Sequence, residues 1–192
     1  MTASLRNVGP DLRALKRDNI WLGEHLAFVW DRYFPDTPCA NPVDIAFAKN
    51  WKARLGLITY CSDKNTSNIR LNSLLRHPEV PECITTVTIA HEMVHYSHGF
   101  GSSLPRCYDH PHRGNVVEKE LLARGLGQEY EEYLDWIDGH WDQFYHTQTV
   151  PPRHLWLARK SGAPARVVSD ALLRYEQAAS VVHVRPAVVT KS

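Results

Sequence analysis

The chain has 192 residues, 43% hydrophobic and 22% charged, with a net charge of +1. Such a chain can bury a sizeable core and suits one domain, or one domain with an appendage. The balanced charge gives no overall argument for a nucleic-acid partner, and no stretch approaches the length of a membrane span. Residues 1–10 show no signal-peptide pattern. Cys39, Cys61, Cys83 and Cys107 are widely separated and form no C-x-x-C pair. Free thiols in a cytoplasmic protein are the expectation.

Residues 11–34 read as a helix, with Leu12, Leu15, Leu22, Leu26, Val29, Trp30 and Phe34 near i, i+3, i+4 spacing. His25 within it reads as a packing or surface residue. Pro35, Pro38 and Pro42 then break the chain. Three short strands are predicted at 43–47, 54–60 and 68–72. The polar run 61–67 joins the last two as a hairpin. In the third strand Ile69 and Leu71 alternate with Asn68, Arg70 and Asn72. This strand is expected to offer a free edge along which an extended peptide could pair. The other reading is an ordinary edge with no partner.

After a connector at 73–81, residues 84–99 form the centre of the sequence. They contain His91-Glu92-Met93-Val94-His95, an H-E-x-x-H pentapeptide. On a helix, positions i and i+4 stack on one face roughly 6 Å apart, so two imidazoles can share one metal ion. Glu92 sits about 100° round the helix, close enough to hold a water as general base. Pro81 and Glu82 suit a helix start, and Gly99 suits its end. The β-branched run from Ile84 to Ile89 argues for a strand, but the polar residues group with a period near 3.6.

A loop at 100–109 should lie over the site. A second helix is predicted from about 110 to 126, capped by Asp109 and carrying Val116, Val117, Leu121, Leu122 and Leu126 as its apolar residues. A third, at 128–146, places Tyr130, Tyr133, Leu134, Ile137, Trp141, Phe144 and Tyr145 on one face, read as core. Val150-Pro151-Pro152 marks a boundary between a domain at 1–150 and an extension at 151–192. Residues 153–191 carry seven Lys and Arg against Asp170 and Glu176, and 169–182 could form a last helix.

Taken in order, these features resemble the SprT-like (Spartan-type) zinc metallopeptidases over about residues 43–126. Arg54-Leu55-Gly56 resembles the family's R-x-G element in the hairpin. The stretch from Asn68 to Asn72 resembles its I-x-L strand, and the stretch from Thr88 to His95 its L-x-H-E-x-x-H helix. The resemblance implies an α+β, zincin-like fold: an N-terminal helix, a small three-stranded antiparallel or mixed sheet, the metal helix and C-terminal helices. It also implies a further histidine roughly 15–20 residues after the pentapeptide. His112 is the choice for this third ligand, because Val116 one turn on can pack behind it. His110 and Glu118 are the alternatives. His98 lies about 4.5 Å along the axis beyond His95, too far to share the ion. The run from His112 to Val116 departs from the family's H-G-x-x-F/W pattern, with glycine one place late and valine for the aromatic. The chain also lacks a Cys-rich zinc ribbon.

The expected function is a zinc metallopeptidase. Zn²⁺ on His91, His95 and His112 would activate a water, and Glu92 would act as general base. Tyr108 and His110 are candidates by position for assisting the oxyanion. The rival is a non-catalytic zinc-binding structural or interaction protein, which would not need Glu92. A polypeptide substrate is the expected partner. DNA is a second, on the basic C-terminal segment and family analogy. A membrane is not expected.

Overall fold

The computed structural model describes residues 17–149. Helix α1 (Asn19–Tyr33) begins where the Asp18 carboxylate accepts hydrogen bonds from the amides of Ile20 and Trp21 at 3.0 and 3.1 Å. The described helix thus starts later than residue 11, and residues 11–16 lie outside the described residues. Leu22, Leu26 and Val29 face inward. The Arg17 guanidinium donates to the carbonyls of Leu75 and Val80, tying this end to the connector that precedes the metal helix.

Strands β1 (Val43–Phe47), β2 (Gly56–Cys61) and β3 (Thr66–Leu71) form one mixed sheet in the order β1-β3-β2. The β2–β3 hairpin is antiparallel as expected, and β1 runs parallel to β3. One expectation is corrected. β3 is the central strand, not a free edge: Ile69 is flanked by Ile45 on one side and Ile58 on the other. Ser67, Ile69 and Leu71 are fully buried, so the alternation was legible, but β1 takes the second edge. The crossover from β1 to β2 is held by Asn72, whose side-chain amide donates to the carbonyls of Trp51 and Arg54 at 2.7 and 2.9 Å.

The unpaired edge among the described residues nearest the metal helix belongs to β2. The Asn72 amide donates to the Leu55 carbonyl. Antiparallel alternation then turns the main-chain groups of Gly56 and Ile58 away from β3.

Helix α2 (Glu82–Ser97) packs against α1, the sheet and the later helices, and is buried almost all round. This accounts for its β-branched run. Apolar burial outweighs the modest propensity cost of such residues, which is only tenths of a kcal/mol each, roughly. Thr86 and Thr88 satisfy their hydroxyls on the carbonyls four residues back, Glu82 and Ile84. Gly99, at φ 75°, ends the helix, and a Cβ there would meet the carbonyl oxygens of Leu104 and Pro105 at 2.5 Å.

The second predicted helix is shorter than expected. Helix α3 (Val116–Ala123) begins only after a tight turn in which Gly114 and Asn115 adopt left-handed conformations, at φ 72° and 56°. Two such residues in succession cannot continue a helix, so Asp109 caps nothing and His110 and His112 lie in the preceding loop. Helices α4 (Gly127–Trp136) and α5 (Asp142–Thr149) are joined by a wide i→i+5 turn, Ile137–Trp141. The boundary at 150, the extension 151–192 and the helix at 169–182 lie outside the described residues. Among the described residues no helix is long and apolar enough to cross a membrane.

Candidate metal centre

His91 and His95 project from adjacent turns of α2. Their Nε2 atoms are 3.1 Å apart. Two nitrogens bound at 2.0–2.1 Å to one tetrahedral ion are separated by about 3.3 Å, so this pair already has the spacing that a shared ion imposes. His112 comes from the loop before α3, with its ring 4.7 Å from that of His95 and 5.5 Å from that of His91. One nitrogen from each of the three lies within 4.8 Å of the others, and together they could hold a metal ion. His95 is buried and His112 is exposed, so the group opens to solvent on the loop side.

All three imidazoles are held uncharged at neutral pH. Burial, and then the neighbouring His112, lower His91 to about 4. Burial followed by His91, His112 and His98 lowers His95 to about 3. Partial desolvation of the ring lowers His112 as well, though the residue as a whole is exposed. The neutral ring is the metal-binding form.

Glu92 is 5% exposed and lies against β2. Burial raises its carboxyl to about 8, opposed by the charge of Arg54 and a hydrogen bond from the Ile58 amide. The strand comes this close only because residue 56 is glycine. A Cβ there would meet Glu92 Oε1 at 2.5 Å and Thr88 Cγ2 at 2.8 Å.

The histidines and Glu92 line a cleft of about 720 Å³. One side is the stretch from Ala53 to Ile58. The other is α4 and the wide turn, which contribute Tyr130, Tyr133, Leu134 and Ile137. This corrects the reading of that aromatic face as core. Trp141 and Phe144 are buried, but the first half of the stripe forms a cleft wall. Burial, with Tyr130 and Glu92 behind it, raises the Tyr133 phenol to about 12, so it keeps its proton.

The other candidates lie elsewhere. Tyr108 and His110 line a separate polar hollow with Arg106, Cys107, Asp109 and Arg113, and neither borders the triad's cleft. His98 sits at the C-terminal end of α2 against the Tyr108 ring. Glu118 lies on α3, where its charge acts on Tyr130. The four cysteines are free thiols. The residues that sequence reasoning missed are Tyr130 and Tyr133. Their i, i+3 spacing was visible, but spacing alone cannot tell a core face from a cleft wall.

Comparison with protein-family models, with curated proteins and with solved structures found no match. The functional reading therefore rests on the residues themselves.

Proposed function

We propose that this chain is a zinc-dependent metallopeptidase of the SprT-like kind, with a zincin-like relation between sheet and metal helix. One observation carries the reading: three uncharged imidazoles converge beside a buried glutamate, in an open cleft bordered by the β2 edge. His91, His95 and His112 would hold the ion, and a set of three neutral nitrogen ligands suits zinc. Bound there, zinc supplies Lewis acidity, bringing the pKa of water to about 7 and polarising a peptide carbonyl.

Glu92 takes the proton of the attacking water and passes it to the leaving amine. Burial keeps the metal-free carboxyl protonated up to about 8, so the role needs the charge of a bound ion, together with that of Arg54, to favour the ionised form. Tyr133 keeps its proton and donates to the developing negative oxygen. The outward main-chain groups of Gly56 pair with an extended substrate, the part first assigned to β3. A structural zinc site closes its fourth position with a protein ligand. Among the described residues only three candidates converge, which favours the catalytic form over a non-catalytic zinc protein.

The test is cleavage of an unfolded protein by the zinc-loaded chain, with and without single-stranded DNA. Glu92→Gln should retain zinc and lose at least ~10²-fold in rate, the scale for removal of a general base. Unchanged turnover in zinc-replete Glu92→Gln, or no cleavage by the zinc-replete natural chain, defeats the proposal.

A further inference from the structure

The cleft is chemically divided. Beside His91, Glu92, His95 and His112, the lining includes the apolar side chains of Leu55, Val87, Leu134 and Ile137 and the Tyr130 ring. Val87 lies one turn before His91 on the same helix, so the apolar part adjoins the reacting end. The Tyr130 ring is stacked on that of Tyr133, 10° from parallel with centroids 6.0 Å apart. Leu134 is 40% exposed, a large apolar side chain in solvent beside a polar site.

The wide turn holds this wall in place. It begins at Ile137, which faces the cleft, and ends at Trp141, which is buried. Such turns add a residue to a helix and shift the faces that follow. Here Trp141 Nε1 donates to the Lys52 carbonyl at 2.7 Å, and the Lys52 ammonium pairs with Asp142 at 3.1 Å. The segment so tied runs directly into Ala53 and Arg54 on the opposite rim. These contacts link the wide turn to the segment that leads into the other rim.

We infer that this apolar half is a specificity pocket, and that the chain prefers a large apolar or aromatic side chain next to the scissile bond. This rests on the peptidase reading of the same cleft. A substrate carbonyl at the triad leaves the adjoining side chain directed at either solvent or this wall, and apolar surface favours the wall. A charged side chain would lose its hydration against these five residues, none of which carries a formal charge, and Arg54 is the one lysine or arginine in the cleft lining.

The test uses two probes that bind through the same hydroxamate group, acetohydroxamate and 3-phenylpropionohydroxamate, titrated calorimetrically into the zinc-loaded full chain. The phenyl probe should bind at least about tenfold more tightly, the lower end of what a few added carbons gain in an apolar pocket. Leu134→Arg should pull the ratio of the two affinities towards one, and Ile137→Asp gives a second, independent wall change. Leu134 is exposed, so its replacement spares the fold. In a peptide library the natural chain should enrich Phe, Leu and Met on one side of the cut, and Leu134→Arg should admit Asp and Glu there. Equal affinities for the two probes, or a ratio unmoved by both variants, overturns the inference while leaving peptidase activity standing. A phenyl preference in a zinc-loaded chain that cuts no peptide sustains the pocket and removes the peptidase reading.

Discussion

At the scale of single residues, the site depends on which histidine joins the α2 pair. His112 faces the triad's cleft, and His110, two positions earlier, lines the polar hollow on the other side of the loop. His112→Ala should therefore lose zinc at micromolar concentrations while His110→Ala retains it, read by metal analysis after desalting. Retained zinc in His112→Ala would point to a ligand outside the described residues. Tyr133 gives a separate prediction. Tyr133→Phe removes one donor and little else, so kcat should fall about 10²-fold with KM nearly unchanged, the scale for one oxyanion donor. A change confined to KM would make Tyr133 only a wall of the cleft.

At the scale of elements, the decisive contact is between β2 and α2. The glycine at 56 lets the strand pass against Glu92, where any larger residue would meet Oε1. Gly56→Val should leave the zinc content intact, since the three histidines are untouched, and should lower peptide cleavage at least tenfold by displacing the carboxylate. Zinc analysis and rate together separate this from unfolding. The central place of β3 changes another expectation. Proline at 69 on an edge would disturb only substrate pairing. On a strand paired on both sides it removes a ladder donor and crowds its neighbours. Ile69→Pro should fail to fold cooperatively, as seen by circular dichroism and urea unfolding. A folded variant would mean that the β1–β3 pairing contributes little.

At the scale of the whole molecule, the buried ionisable groups set how stability responds to pH. His25, His91, His95, His98 and His112 all have folded-state values below the usual 6.5, in each case mainly through burial. Below 6.5 the unfolded chain binds more protons than the folded one, so stability rises with pH there and is lost as pH falls. For His95 that loss continues to about 3. Glu92 acts in the opposite direction. Its value is raised to about 8, so between the usual 4.5 and 8 the folded form binds the extra proton and stability declines as pH rises. The metal-free protein should therefore be most stable near neutrality. It should show a steep acid limb from the histidines and a shallow decline up to about 8 from the Glu92 carboxyl. Urea unfolding across pH should show the decline below 8 vanish in Glu92→Gln, while the acid limb and the loss above 9 from the raised Cys83 thiol and the buried phenols persist. Added zinc should stabilise the protein by about 2.7 kcal/mol at a free concentration one hundred times Kd. Addition of a chelator should reverse that gain.

His112 was expected from the family resemblance; periodicity and spacing alone determined the helix carrying His91 and His95, with the glutamate between them, and the hairpin. These are local properties. A helix places i and i+4 together whatever surrounds it, and a polar turn between two alternating runs makes a hairpin. Only the tertiary structure decided what depends on distant segments meeting. β1 docks on the far side of β3 and moves the free edge to β2. Left-handed Gly114 and Asn115 keep His112 in a loop and out of a helix. The first half of the aromatic stripe, Tyr130, Tyr133, Leu134 and Ile137, lines the cleft that residues of α2 and β2 also line. Alternation and helical period report which side of an element is apolar, but they hold no information on which neighbour covers it. That is settled by long-range packing, where burial of a whole face outweighs the local preferences.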